Sequence, residues 1–305
     1  VSDEYLIEQD ETGFDRVLSF SVPDRDVRGR AVRLGPVLDH VLSAHDYPQP
    51  IRHVMAEALV LTTLMGSLLK DEASQLTFQI QAEGGTVDFL VCDFRDGDVR
   101  GYLRYDSEKM HEQGSNASVA STFGTGYLAI TFDLATSGER YQGIVPLEGD
   151  TLSGVCERYF ERSEQIPTLI RVAVRSEGGN CVAGGMLVQH FPDGEEGKER
   201  LHVKSEGAIA PDWEHIVALA GSVRYAELVD PALSIESLIW RLLHEEREIR
   251  VGATHTIRRG CRCTVEHYQS VLTQFPETER ADMRDPDGRI PVECEFCSKV
   301  FRIDA

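Results

Sequence analysis

No stretch of about eighteen consecutive apolar residues occurs in the 305-residue chain, so a membrane-spanning helix is not expected. The opening residues Val1-Ser2-Asp3-Glu4 are acidic and lack an apolar core, which argues against a secretory leader. Positive charge is also scarce: 31 Lys and Arg stand against 51 Asp and Glu, a formal net charge of -20. A surface so acidic repels phosphate backbones and argues against nucleic-acid binding by bulk electrostatics. The nucleophile elbow, the His-Glu-x-x-His zinc motif and the dinucleotide fingerprint are all missing, so the chain is not expected to be an enzyme. Gly124-Thr125-Gly126 resembles part of a phosphate loop, but it lacks the following glycine and the Lys-Ser/Thr, and it reads as a turn.

The composition, 41% hydrophobic and 27% charged, is that of an ordinary globular protein long enough for two domains. Residues 1–192 read as a large α+β core domain. Val54, Met55, Ala58, Leu61, Met65, Leu68 and Leu69 recur at helical spacing, whereas Leu76, Phe78 and Ile80 alternate with polar residues as in a strand. Gly84-Gly85, Asp96-Gly97 and Thr136-Ser137-Gly138 read as hairpin turns. Residues 193–253 read as a helical linker that opens on the charged run Asp193 to Arg200. Three short helices are expected after that run, around Trp213 to Leu219, Tyr225 to Val229, and from a Ser234 cap through Ile235, Leu238, Ile239, Leu242 and Leu243. Helices this short are marginal alone, so the segment must lean on a neighbour.

Residues 254–305 hold four of the seven cysteines, as Cys261-Arg262-Cys263 and Cys294-Glu295-Phe296-Cys297. In Cys-x-Cys on extended backbone both side chains point to the same side, and Cys-x-x-Cys does the same from a tight knuckle. Four thiolates converging this way make a closed tetrahedral zinc site with no open position for a substrate. The bland alternative is four unrelated buried cysteines. Zinc with four thiolates carries a formal -2, which Arg258, Arg259, Arg262 and Lys299 are placed to offset. His255 and His267 flank the first pair, but four sulfurs already suffice. Cys92, Cys156 and Cys181 lie in apolar runs and read as inert core. Val265, Tyr268, Val271, Leu272 and Phe275 suggest one helix stopped by Pro276, and Arg289 to Glu293 a strand. A module of about fifty residues with so few large apolar groups usually needs a metal or a crosslink to fold. Reduced, metal-bound thiols in an odd number fit the cytoplasm better than a secreted disulfide framework.

With these pairs in place, the chain resembles the 33 kDa chaperonin family, bacterial redox-regulated heat-shock holdases. The likeness rests on the two cysteine pairs and on Glu57 to Lys70, Tyr141 to Leu147, Ser163 to Thr168 and Gly184 to Gln189, in order along nearly the whole chain. It implies one zinc ion held by Cys261, Cys263, Cys294 and Cys297, and disulfides Cys261–Cys263 and Cys294–Cys297 once oxidised. It further implies that metal loss unfolds the module and then the linker. The protein, often a homodimer when oxidised, then holds unfolding client proteins without ATP. Trp213, Ile216, Leu238, Ile239 and Leu242 are the candidate client-binding residues. Ser298 and Phe301 stand where the family commonly has glycine and tyrosine, and the tail after the cysteine module is short. Two other readings remain: a zinc-ribbon nucleic-acid module, disfavoured by the charge, and a thiol–disulfide oxidoreductase using Cys294 and Cys297, for which the βαβ pattern is missing.

Overall fold

In the computed structural model, which describes residues 13–112, 118–191 and 211–304, the chain begins with a hairpin. Its strands are β1 (Arg16–Val22) and β2 (Val27–Leu34). Helices α1 (Pro36–Leu42) and α2 (Gln49–Gly66) follow, each with proline in its first turn, where a missing N–H is tolerated. From Met55 to Gly66 every residue of α2 except Glu57 is buried, so this helix is a core element rather than a one-faced surface helix. Next comes a meander of β3 (Gln75–Gly84), β4 (Val87–Arg95) and β5 (Asp98–Tyr105), turning at the two predicted positions. Two short helices, α3 (Ser107–Glu112) and α4 (Val119–Phe123), lead into β6 (Gly124–Asp133) and β7 (Arg140–Pro146). Gly124 to Gly126, expected as a turn, instead begins β6. A Cβ at Gly126 would sit 2.2 Å from the Gln81 carbonyl oxygen, so the glycine serves close approach to β3.

Helix α5 (Leu152–Tyr159) and the hairpin of β8 (Thr168–Glu177) and β9 (Asn180–His190) complete the first domain. The linker contributes α6 (Pro211–Gly221), α7 (Tyr225–Leu228) and α8 (Ile235–Leu243), the last capped by Ser234, whose Oγ accepts from the Ser237 N–H at 3.0 Å. The charged run from Asp193 to Arg200 lies outside the described residues. Then come β10 (Arg250–Thr256), β11 (Arg258–Arg259), α9 (Val265–Leu272), α10 (Glu277–Met283), β12 (Ile290–Glu293) and β13 (Val300–Ile303). Helix α9 ends before the predicted stop, and Pro276 instead precedes α10.

The strands form one sheet in the order β10-β1-β2-β9-β8, a second in the order β11-β5-β4-β3-β6-β7, and the small pair β12-β13. Helix α2 is packed between the two large sheets, sharing its core with Val17, Val32, Leu34, Ile170 and Leu187 on one side and Leu76, Phe78, Ile80 and Leu90 on the other. Because side chains alternate along a strand, the first sheet also has an outer apolar face: Leu18, Phe20, Val22, Ala31, Leu169, Met186 and Val188. The linker helices cover it. The neighbour on which the linker leans is therefore the first domain. Polar contacts fix the fit. The buried guanidinium of Arg33 donates to the carbonyls of Leu228 (3.0 Å), Leu233 (2.6 Å) and Glu227 (3.2 Å). Strands β10 and β11 belong to the two large sheets, pairing with β1 and β5, so Thr254 to Arg259 lie in the first domain's sheets.

Candidate metal centre

Cys261 and Cys263 lie in the irregular segment between β11 and α9, while Cys294 and Cys297 sit in the turn between β12 and β13. That turn is a tight knuckle. The Cys297 N–H donates to the Cys294 carbonyl at 3.2 Å, the Ser298 N–H to the same carbonyl at 2.8 Å, and the Cys294 N–H to the Lys299 carbonyl at 3.0 Å. Ser298 takes φ +54°, the left-handed conformation that glycine adopts freely, which accounts physically for the family's usual residue there.

The knuckle and the first pair bring all four sulfurs within 4.8 Å of one another, and among the described residues they form the cluster able to hold a metal ion. Cys261 Sγ lies 3.3 Å from Cys263 Sγ and 3.5 Å from Cys294 Sγ, and Cys263 Sγ lies 3.5 Å from Cys297 Sγ. Sulfurs bonded at about 2.3 Å to a tetrahedral zinc would stand about 3.8 Å apart, so the cage fits with small shifts. All seven cysteines are free thiols. Burial opposes ionisation of Cys294. The Tyr268 hydroxyl and the Phe296 and Cys297 amides outweigh it, bringing this thiol down to about 7. Burial and the neighbouring thiols push Cys263 upward. His255 and His267 are exposed and lie outside the cluster.

Two of the four cations expected to offset the site's charge are paired elsewhere. Arg258 pairs with Asp98 at 3.1 Å, and Arg262 reaches Gln75 at 2.7 Å and Asp93 at 3.3 Å, so both are engaged by the first domain. Lys299 lies over the Phe301 ring, 5.2 Å from its centre, and Arg259 is exposed. Cys92, Cys156 and Cys181 are buried, and burial raises all three thiols, as expected of inert core cysteines. The Cys294-x-x-Cys297 pair sits between strands rather than at a helix start, which removes the geometry a thiol–disulfide oxidoreductase needs.

The five client-binding candidates, Trp213, Ile216, Leu238, Ile239 and Leu242, come together in one cluster, all buried against the outer face of the first sheet. The sequence reading missed Asp93 and Arg100, two of the first-domain residues that meet the cysteine module. A carboxylate inside the apolar run Leu90-Val91-Cys92-Asp93-Phe94 was the available signal.

The model of the family described as Hsp33 protein matches residues 15–304. The chain belongs to the Hsp33 family. A 33 kDa chaperonin of Caulobacter vibrioides is 36% identical over 299 residues, covering 95% of each sequence. Another from Shigella boydii is 34% identical over 279 residues, covering 92% of this chain and 88% of the relative. The solved 33 kDa chaperonin of Thermotoga maritima shares the fold, with a TM-score of 0.76 at 22% identity over 95% of this chain and 94% of that one. Membership in the Hsp33 family supports a chaperone role. Among the described residues no helix is long and apolar enough to cross a membrane.

Proposed function

We propose that this chain is a cytoplasmic, ATP-independent holdase that is silent while its four thiolates hold zinc and active once they are oxidised. The observation that carries the reading is the make-up of the module's own core. Its buried residues are Leu272, Ile290, Cys294, Phe301 and Ile303, with Cys261, Cys263, Tyr268, Val292, Phe296 and Cys297 packed against them. Four of these eleven residues are the cysteines proposed to hold the metal. A core so small does not sustain a fold alone, whereas structural zinc contributes roughly 10–16 kcal/mol.

Bound zinc would supply a fixed tetrahedral crosslink between the two pairs. Oxidation of Cys261 with Cys263, and of Cys294 with Cys297, joins two thiolates in one S–S bond and removes two electrons per pair. One peroxide per pair takes those electrons with two protons from solvent and becomes two waters, and the resulting disulfides no longer hold the ion. The module then loses its fold. Its only covalent route to the linker is through β11 and β10, and β10 is an exposed edge strand along its whole length. Fraying of β10 loosens the linker from the sheet. The apolar faces of α6 and α8, including Trp213, Ile216, Leu238, Ile239 and Leu242, then become available to unfolding clients. Exposed apolar surface of this kind also favours pairing of two oxidised copies.

The test is thermal aggregation of citrate synthase in the presence of reduced, zinc-loaded protein or oxidised, metal-free protein. Suppression by the oxidised form alone is expected. Equal suppression by both forms removes the switch, and none by either removes the chaperone.

A further inference from the structure

We propose that Asp93 is the positioning residue that keys the cysteine module onto the first domain, and that both cysteine pairs report to it. The regulatory part of this rests on the holdase reading; the docking itself does not. One side chain from within each pair faces the first domain: Arg262 meets Asp93 directly, and Phe296 meets it through Arg100.

Arg262, between the first two cysteines, places Nη1 2.7 Å from Gln75 Oε1 and Nη2 3.3 Å from Asp93 Oδ2. Phe296, between the second two, lies under the guanidinium of Arg100, whose Cζ is 4.0 Å from the ring centre. Arg100 in turn donates from Nε to that same Asp93 Oδ2 at 2.7 Å, and its Nη2 lies 2.6 Å from it as an ion pair. The Thr77 hydroxyl donates to Oδ1 at 2.7 Å. Asp93 is only 3% exposed. One buried oxygen therefore takes two guanidiniums, one from each side of the joint.

The charge arithmetic suits a releasable contact. When the module departs, Asp93 and Arg100 remain as a neutral pair, so no buried charge is stranded, and Arg262 returns to water. While the module is docked, Asp93 also keeps the two cations from repelling each other. Closing Cys261 to Cys263 shortens a 3.3 Å sulfur separation to about 2.05 Å. That closure acts on the backbone flanking Arg262 and reorients its side chain away from Asp93.

The test uses the full-length, reduced, metal-loaded protein with Asp93→Asn, Arg262→Gln and the double variant. Metal content and free thiols are counted first, and both are expected to match the parent. Hydrogen exchange is then read at the Arg258 and Gly260 amides, which bond to the Gly97 and Val99 carbonyls at 2.8 and 3.0 Å where the chain leaves β5 for the first cysteine pair. Each single variant is expected to speed exchange there about tenfold or more, the scale of a lost charged hydrogen bond. The double variant should exchange more slowly than Asp93→Asn alone, because one of the two repelling cations is gone. Unchanged exchange in Arg262→Gln, or single-variant effects that simply multiply, overturns the proposal. Should Asp93→Asn unfold β4, Arg262→Gln decides alone, since its side chain belongs to the module. If the parent gains no holdase activity on oxidation, the regulatory reading fails while the exchange pattern still decides the joint.

Discussion

Ser298 holds a left-handed backbone at φ +54° in the middle of the metal knuckle, a conformation that a residue with a Cβ adopts at a penalty of roughly 1–2 kcal/mol. Its hydroxyl lies 3.4 Å from His45 Nδ1, too long a contact to offset much of that. Ser298→Gly is therefore expected to tighten the module by about 1 kcal/mol, roughly fivefold in the chelator concentration that removes half the metal. An unchanged titration would show that the knuckle is not strained. Glu227 is the linker's counterpart. Its carboxylate accepts from Arg241, from the Arg224 backbone N–H at 2.9 Å and from the Arg224 guanidinium at 2.6 Å. The bond from Arg241 does most to hold its pKa down to about 2, against burial. A depressed folded value means the carboxylate form favours the docked linker. That contribution is complete above about pH 4.5, declines as pH falls, and is gone below about pH 2. Urea midpoints for Glu227→Gln and parent should thus differ most near neutrality and converge over that window. A constant difference would refute the assignment.

Helix α8 joins local and distant information. Its cap and its apolar face were both legible from sequence, because Ser234 and the spacing of Ile235, Leu238, Ile239, Leu242 and Leu243 are properties of one short segment. What covers that face was not legible. Its partner is the outer side of a sheet whose first strands carry Arg16, Arg28, Arg30 and Arg33, a pattern that hides apolar alternation. In the fold those side chains are occupied, Arg33 by linker carbonyls and Arg28 by stacking 3.9 Å from the Phe191 ring centre. Strand β10, Arg-Val-Gly-Ala-Thr-His-Thr, is exposed at every position and has no periodicity to read; only its register with β1 makes it a strand. The four cysteines are the opposite case, since ligand spacing is a local code. Burying an asparagine at the centre of the linker's apolar face isolates its contribution. Ile239→Asn leaves an unpaired amide under the helix, destabilising docking by several kcal/mol. The reduced, metal-loaded variant is expected to be cut by protease within 211–245 and to suppress citrate synthase aggregation without oxidation. Parent-like resistance together with silence would mean the face is not what restrains activity.

At the scale of the molecule, the largest and the smallest of the three buried clusters differ greatly in size. The first domain's cluster runs through α2 and both large sheets, whereas the cysteine module buries five residues, one of them Cys294. Stripping the metal under reducing conditions should therefore unfold one and spare the other, giving two transitions rather than one. Hydrogen exchange separates them directly. The β12–β13 amides are expected to exchange at unfolded rates while α2 stays protected. Protected β12–β13 amides in metal-free protein would mean that the module supports itself, and the metal would lose its role. Strand β10 carries the finer test. It is held by β1 on one side only, and its C-terminal end adjoins β11, whose pairing to β5 goes when the module undocks. Protection should then fall off along β10 from Arg250 toward Thr256, with α8 the next element to loosen. Uniform protection of β10 in the metal-free protein would break the one covalent path by which events at the cysteines reach the linker.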